Sequence, residues 1–151
     1  MTAGNISSAS HDYTFQLTKR DAPISANARE HWSRERGEHR ELRWDAKILT
    51  LALGMRGVEA IHLRLLVYPP DHRRRDEDNL IPHLLKPVKD GVAEALGLDD
   101  TREFVSYECY FAGVSFDRRW RYVVEILPRE RGKGDAEAAH DPGRDRPARV
   151  R

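Results

Sequence analysis

The chain has 151 residues, of which 34% are charged and 39% are hydrophobic, and its formal net charge at pH 7 is +1. This length corresponds to one ordinary domain. A net charge so close to zero excludes a strongly basic nucleic-acid coat protein, so a basic surface would have to be local.

The single cysteine, Cys109, excludes an intrachain disulfide and a zinc site made of cysteines. It lies in an apolar alternating run, which predicts a buried structural thiol. No apolar run approaches the ~18 residues of a membrane span, and the first residues lack the basic and apolar regions of a secretion signal. We therefore expect a cytoplasmic protein with no membrane partner.

The first part of the chain predicts one strand and one helix. Residues 1–12 are rich in Ser, Ala and Gly and are predicted to be disordered. Residues 13–17 alternate aromatic and polar side chains, which predicts a strand. After a turn at Pro23, a polar, arginine-rich stretch continues to about Glu38. A helix is then predicted over residues 41–55, with core positions at helical spacing: Leu42, Ala46, Leu49, Ala52 and Leu53.

The middle of the chain predicts a strand followed by a second helix. Apolar residues alternate with other side chains from Ile61 to Val67, which is typical of a strand. The second helix is predicted over residues 80–96, and Gly97 is expected to close it as a C′ glycine. Pro87 falls inside the pattern and should either kink the helix or mark a second start.

Two further strands are predicted over residues 103–112 and 120–127, and residues 113–117 should join them as a hairpin. From residue 128 to 151 the chain loses apolar periodicity, which predicts a disordered, charged tail. The predicted fold class is therefore α+β: a single domain over residues 13–127, with a small mixed sheet and two helices in the order β-α-β-α-β-β.

The strongest indication of a chemical function is the run Arg73-Arg74-Arg75-Asp76-Glu77-Asp78-Asn79. In an extended segment, residues two apart point the same way, so Asp76 and Asp78 can hold one hard cation between them. Carboxylates suit Mg²⁺ or Mn²⁺, and arginine forks match phosphate. This combination indicates metal-dependent phosphodiester chemistry. The alternative is that the arginines and aspartates only neutralise each other on a solvated loop.

Two later groups extend the pattern. Lys86 and Asp90 are four residues apart and should share one face of the second helix, with Lys89 as the rival lysine. The pair Asp99-Asp100 follows the helix. Because these elements are adjacent in sequence, the predicted site can form locally.

The chain resembles the RusA-type Holliday junction resolvases in the order of three segments. These are Arg-Arg-Arg-Asp-x-Asp-Asn-Leu, then a helix with Lys86 and Asp90, then Gly-Leu-Asp-Asp. The resemblance covers residues 69–105 and extends weakly to residues 22–27, where a Pro-x-Ser-x-Asn turn occurs. It implies a RusA-like fold, with Asp90 as a further metal ligand and DNA contacts from Asn79, Lys89 and Arg73 to Arg75. The catalytic residues that it implies are Asp76, Asp78, Lys86 and Asp100.

The resemblance also implies an activity and an assembly. The activity is Mg²⁺-dependent, structure-selective DNA cleavage that resolves four-way junctions by paired symmetric nicks, and the assembly is a homodimer. One alternative is a catalytically silent DNA-binding accessory protein that keeps the fold. Another is a metal nuclease that acts on flaps or forks, which present the same phosphodiester in a different shape.

The seven histidines show no pairing such as His-x₃-His on one helix, so the sequence does not predict a zinc site. His83 is expected to be a surface residue of the second helix. Trp32 and Trp44 are expected to anchor the core or an interface rather than to stack on bases.

Overall fold

The structure is a computed structural model that describes residues 13–23, 32–76, 78 and 81–131. In these ranges it confirms a single α+β domain with a four-stranded mixed sheet and two α-helices. The strands are β1 (Tyr13–Gln16), β2 (Ala60–Tyr68), β3 (Val105–Phe111) and β4 (Arg121–Arg129). The helices are α1 (Trp32–Ala52) and α2 (Lys86–Leu96), and a π-helical turn, Ile81–Leu85, precedes α2.

The sheet has the strand order β1-β4-β2-β3. Strand β2 pairs parallel with β3 and antiparallel with β4, while β1 pairs antiparallel with β4. The predicted hairpin between the last two strands is therefore wrong, because β2 lies between them. The inward residues of β2 are fully buried, its backbone is hydrogen-bonded along both edges, and α2 supplies the crossover that a parallel pair needs.

One face of the sheet and the two helices form a single core. Alternate residues of β2 and β4, such as Leu65 and its partner Val124, are buried on this face. Helix α1 contributes Leu42 and Ala46, and α2 contributes residues that include Val88. The intervening side chains of both strands are only partly buried, and on this opposite face polar residues such as Arg64 alternate with apolar ones such as Leu66 and its partner Val123.

Helix α1 begins at Trp32, well before the predicted start at Glu41. Its first half has few apolar side chains, but charged residues such as Arg and Glu favour a helix without periodicity. Trp44 is 62% exposed, so it is not a core residue, and the side chain of Trp32 lies outside the described part of the structure.

The predicted second helix is divided into the π-helical turn and α2. Pro87 lies in the first turn of α2, where its missing N–H costs nothing, so it does mark a second start. Gly97 has φ 68° and closes α2 as predicted, and the N–H of Leu98 donates to the carbonyl of Ala93 at 2.9 Å.

Gly91 permits a close approach between α1 and α2. A Cβ at this position would overlap the carbonyl oxygen of Arg43 and would lie 3.1 Å from the Cβ of Ala46. Because only glycine fits here, Gly91 determines how near α2 lies to α1, and with it the position of the adjacent Asp90.

Strand β4 continues through Arg129, two residues beyond the predicted domain boundary at 127. The guanidinium of Arg129 donates to the carbonyls of Ile61 at 3.1 Å, Arg102 at 2.9 Å and Glu103 at 2.8 Å. Arg129 therefore belongs to the domain. The predicted disordered residues 1–12, and the predicted tail from residue 132 onward, lie outside the described residues.

Cys109 lies on the edge strand β3 and is partly rather than fully buried, although it packs against the core. Edge position explains the difference from the prediction, because an edge strand is covered on one side only. In the part of the chain that the structure describes, neither helix combines the length and the apolar character that crossing a membrane requires.

Candidate metal and nucleic-acid site

Residues 71–76 form a loop that is held together by Asp71. Its carboxylate accepts from the backbone N–H of Arg73 at 3.0 Å and from the guanidinium of Arg75 at 2.6 Å. These two donors hold the pKa of the Asp71 carboxyl below its ordinary value. Asp71 therefore stabilises the loop just before Asp76 and Asp78, the two aspartates that the sequence pattern predicts as metal ligands.

The three predicted DNA-binding arginines differ in their surroundings. The guanidinium of Arg75 lies 4.9 Å from the ring centroid of Trp120 and donates to the carbonyls of Asp71 and Arg73 at 3.0 and 2.9 Å. Arg75 thus holds the loop against the start of β4. The Arg73 side chain is 85% exposed, and Arg74 is exposed without a hydrogen bond or ion pair to the described residues.

Asp76 and Asp78 are both exposed, and a hydrogen bond from backbone to side chain joins them. The Oδ1 atom of Asp76 accepts from the backbone N–H of Asp78 at 3.0 Å. Such Asx turns fix a short loop locally, so the two carboxylates belong to one compact segment. Glu77 and Asn79 lie outside the described residues, and the predicted DNA contact of Asn79 stays a prediction.

A second acidic group lies at the other end of α2, in an open cleft of about 440 Å³. Asp90 contributes a buried Oδ1 atom with no hydrogen-bond partner among the described residues. Asp99 accepts from the backbone N–H of Thr101 at 3.0 Å, so its role is to fix the loop, whereas the Asp100 side chain is 62% exposed. The cleft is lined by Arg43, Asp90, Ala93, Glu94, Leu98, Asp99 and Asp100.

Lys89, rather than Lys86, is the lysine that contacts Asp100. The Lys89 ammonium donates to the Asp100 carbonyl at 3.3 Å and lies 4.0 Å from its carboxylate, and it also lies 5.6 Å from the ring centroid of Tyr107. Lys86 is exposed and borders, with Lys89, a neighbouring cleft of about 210 Å³. Lys89 therefore secures the loop that carries Asp100, while Lys86 faces solvent.

Two further residues, Arg43 and Glu94, line the acidic cleft, although no sequence pattern indicated them. Glu94 on α2 accepts from Lys47 at 2.9 Å and from Arg43 at 3.1 Å, both on α1. Lys47 first, and then Arg43, hold the pKa of the Glu94 carboxyl below its ordinary value. Because Glu94 is far from Arg43 and Lys47 in sequence, these ion pairs leave no local sequence pattern that could predict them.

The loop before β4 adds aromatic side chains close to the arginine-rich segment. Phe116 is 85% exposed, and the Arg121 guanidinium lies 5.7 Å from its ring centroid and 4.3 Å from that of Tyr68. Trp120 stacks on Tyr122 with ring centroids 6.3 Å apart. Of these rings only Phe116 is exposed, and an exposed aromatic ring beside arginines is typical of surfaces that bind nucleic acid.

The chemistry of the acidic cleft fits a hard divalent cation. Its donors are carboxylate oxygens, which Mg²⁺ and Mn²⁺ prefer, and a buried carboxylate oxygen without a partner is costly unless a cation or donor satisfies it. Within the described residues, however, Asp76, Asp78 and Asp100 do not come within 4.8 Å of one another as a three-ligand group. The side chains that do are Glu35, His39 and His83.

No family model matches the chain. Over 89 residues the chain is 36% identical to an uncharacterized protein from Xylella fastidiosa (strain Temecula1 / ATCC 700964). The matched part is 56% of this chain and 57% of that protein. The chain thus spans little more than half the length of this relative.

Proposed function

We propose that the protein is a Mg²⁺-dependent, structure-selective DNA endonuclease that resolves four-way junctions by paired symmetric nicks. The observation that carries the proposal is the acidic cleft, where the buried, unpartnered Oδ1 of Asp90 lies in one cleft with the exposed Asp100. A pure DNA-binding surface gains nothing from such anions. Arginines and exposed aromatic rings elsewhere on the domain provide a surface of the kind that DNA requires.

Different residues of the chain would have different roles in the proposed reaction. Asp90 and Asp100 would hold the cation, with Asp76 and Asp78 as the further ligands that the RusA resemblance implies. When bound, Mg²⁺ or Mn²⁺ polarises the scissile phosphate and lowers the pKa of a bound water. Lys86 can approach the phosphate from solvent and stabilise the negative charge that develops there.

Other residues would position the DNA and the ligands. Lys89 holds the loop of Asp100 against α2, as its contact with the Asp100 carbonyl indicates. Arg73 and Arg74 are exposed and can contact phosphates, whereas Arg75 fixes the loop that carries Asp76. The four-way junction and a role in DNA recombination and repair rest on the RusA resemblance alone. The homodimer rests first on the same resemblance, and the cytoplasmic location is the expectation from the single cysteine and the short apolar runs of the sequence.

One observation favours a second candidate function, a catalytically silent DNA-binding protein. The carboxylates of Asp76, Asp78 and Asp100 do not form a three-ligand group in the described structure. A silent protein would keep the arginine and aromatic surface and bind junctions without cutting them. Cleavage and binding must therefore be measured separately.

The test uses labelled four-way junction, flap and linear duplex DNA, each with Mg²⁺ or EDTA. We expect junction cleavage with Mg²⁺ only. Asp76→Asn, Asp78→Asn and Asp100→Asn should each remove most cleavage but keep junction binding, since each removes an anion near phosphate. Asp99→Asn is the matched control and should lose less, because its carboxylate caps the backbone of Thr101.

The outcomes separate the candidates. Wild-type cleavage rates in all three asparagine variants would show that the metal site is elsewhere. Junction binding without cleavage of any substrate would establish the silent protein. Preferred cleavage of flaps would replace the junction resolvase with a flap nuclease.

A further inference from the structure

Glu35, His39 and His83 form a cluster that the proposed nuclease chemistry does not use. Glu35 and His39 are one helical turn apart on α1, and His83 comes from the π-helical turn. The Glu35 Oε1 atom lies 2.8 Å from Nδ1 of His83 and 3.9 Å from Nε2 of His39. The two imidazole rings are tilted by 52° with centroids 6.0 Å apart.

The ring nitrogens that face this cluster are buried without a hydrogen bond. Nε2 of His39 and Nδ1 of His83 have no solvent contact and no hydrogen-bond partner among the described residues, although the Glu35 carboxylate is close. Only 14% of the His83 side chain is exposed, so the expectation of a surface histidine is wrong. Nδ1 of His83 has the Glu35 carboxylate at ion-pair distance, whereas Nε2 of His39 is 3.9 Å from it. Buried polar atoms in native proteins are nearly always satisfied, so the His39 nitrogen points to a ligand shared with Glu35 and His83.

We propose that Glu35, His39 and His83 bind one divalent transition-metal ion of the Zn²⁺ class. Two imidazole nitrogens and one carboxylate oxygen are donors that Zn²⁺ prefers and that Mg²⁺ does not. Tetrahedral ligands around Zn²⁺ lie about 3.3 Å from each other, which falls between the two distances observed from Glu35. Small side-chain adjustments would admit the ion, and water would complete the fourth position.

The bound ion would stabilise the fold and would not take part in a reaction. It would fasten α1 to the π-helical turn, a kind of element that is rare and often found at functional positions. This turn follows Asp78 and directly precedes Lys86, so the metal would position the segment between the two groups of aspartates. The inference does not depend on nuclease activity, because the ligands and the donor chemistry are separate from the acidic cleft.

The first experiment titrates metal-free, full-length protein with Co²⁺ as a spectroscopic substitute for Zn²⁺. We expect one equivalent of Co²⁺ to give the visible absorption of a tetrahedral site, and Zn²⁺, but not excess Mg²⁺, to remove it. Glu35→Gln, His39→Asn and His83→Asn should each weaken binding by more than the ~10–100-fold that loss of an outer hydrogen bond costs.

Two controls define the site. His62→Asn should bind like the wild type, because His62 lies on β2 and its Nδ1 is 2.9 Å from the Ser106 hydroxyl. The variant with Asp76, Asp78 and Asp100 all changed to Asn should also keep Zn²⁺ binding. If it loses Zn²⁺ instead, or if the three cluster variants bind like the wild type, the proposal is wrong.

A second measurement needs no substitution and so remains valid if a variant fails to fold. The nitrogen resonances of the seven histidine side chains are followed in the wild-type protein as Zn²⁺ is added. We expect two histidines, His39 and His83, to shift at one equivalent. Shifts of other histidines alone, or none at a tenfold excess, would overturn the proposal.

Discussion

Arg74 and Arg75 are neighbours in sequence but have different physical roles. Arg75 combines an ion pair to Asp71 with a position over the Trp120 ring, and its side chain is only 19% exposed. Arg74 is exposed and makes no hydrogen bond or ion pair with the described residues. In the proposed nuclease we therefore expect Arg74 to contact DNA and Arg75 to preserve the loop that presents it.

Arg74→Ala should weaken junction binding and lower the slope of log affinity against log salt by about one unit, since one phosphate contact is lost. Arg75→Ala should instead lower the free energy of unfolding by about 1 kcal/mol, because its cation–π contact is lost. Fluorescence anisotropy at several salt concentrations and denaturant unfolding measure the two effects. An unchanged salt slope in Arg74→Ala would make Arg74 a solvated residue without a DNA contact.

At the scale of elements, the contact between α1 and α2 shapes the acidic cleft. Gly91 brings the helices together at the carbonyl of Arg43, and Glu94 then joins α2 to Lys47 and Arg43 of α1. Asp90 immediately precedes Gly91, so the burial of its Oδ1 atom depends on this spacing. A change in helix separation should therefore alter both stability and the cleft.

Gly91→Ala should lower the free energy of unfolding by about 1–3 kcal/mol, because the added methyl group forces the helices apart. Gly37→Ala on α1 is the matched control. A Cβ at residue 37 meets nothing within 4 Å, so alanine should stabilise the helix by about 0.5–1 kcal/mol. Denaturant unfolding measures both, and equal stability of the two variants would contradict the close approach at Gly91.

The pairing of Glu94 predicts a pH dependence. Its pKa in the folded protein is lowered from an ordinary 4.5, so its contribution to stability is present above pH 4.5 and is lost as the pH falls through the folded value. Thermal unfolding of wild type and Glu94→Gln between about pH 7 and about pH 3 should show a wild-type advantage that shrinks below 4.5. A constant difference over this range would exclude the ion pair as its source.

For the whole molecule, the exposed apolar side chains indicate where a second copy would bind. Trp44, Ile48 and Leu51 lie at helical spacing on α1 and are 62%, 42% and 52% exposed. A sheet edge, or the outer face of Trp120 and Tyr122, is the alternative interface. Tyr122, however, is fully buried, so the helix stripe of Trp44, Ile48 and Leu51 is the better candidate interface.

The proposed resolvase needs two sites for two opposed nicks, which a symmetric pair would supply. Light scattering of the DNA-free protein should report twice the mass of one chain. Changing Ile48 and Leu51 to Glu should produce monomers, because charges are placed in an apolar contact. Phe116→Glu, which changes another exposed apolar residue, should leave the dimer intact. A monomeric wild type that still makes paired nicks would refute the symmetric mechanism.

The sequence predicted those features that leave a local pattern. The alternation in β2, the second helix start at Pro87 and the glycine after α2 each depend on neighbouring residues. The early start of α1 has no apolar periodicity, and the insertion of β2 between β3 and β4 depends on distant pairing. The cluster of Glu35, His39 and His83 joins two distant segments, although the Glu-x₃-His spacing on α1 could have indicated two of its three ligands.

The strand order also constrains how the chain folds during synthesis. Strand β1 pairs in the described sheet only with β4, and Tyr122 of β4 adds a hydrogen bond from its hydroxyl to the carbonyl of Asp21 at 2.7 Å. The parallel unit of β2, α2 and β3 can assemble earlier on the ribosome, since its parts are close in sequence. Of the strands that the structure describes, β1 is translated first but must wait for β4, which is translated last, before it joins the sheet.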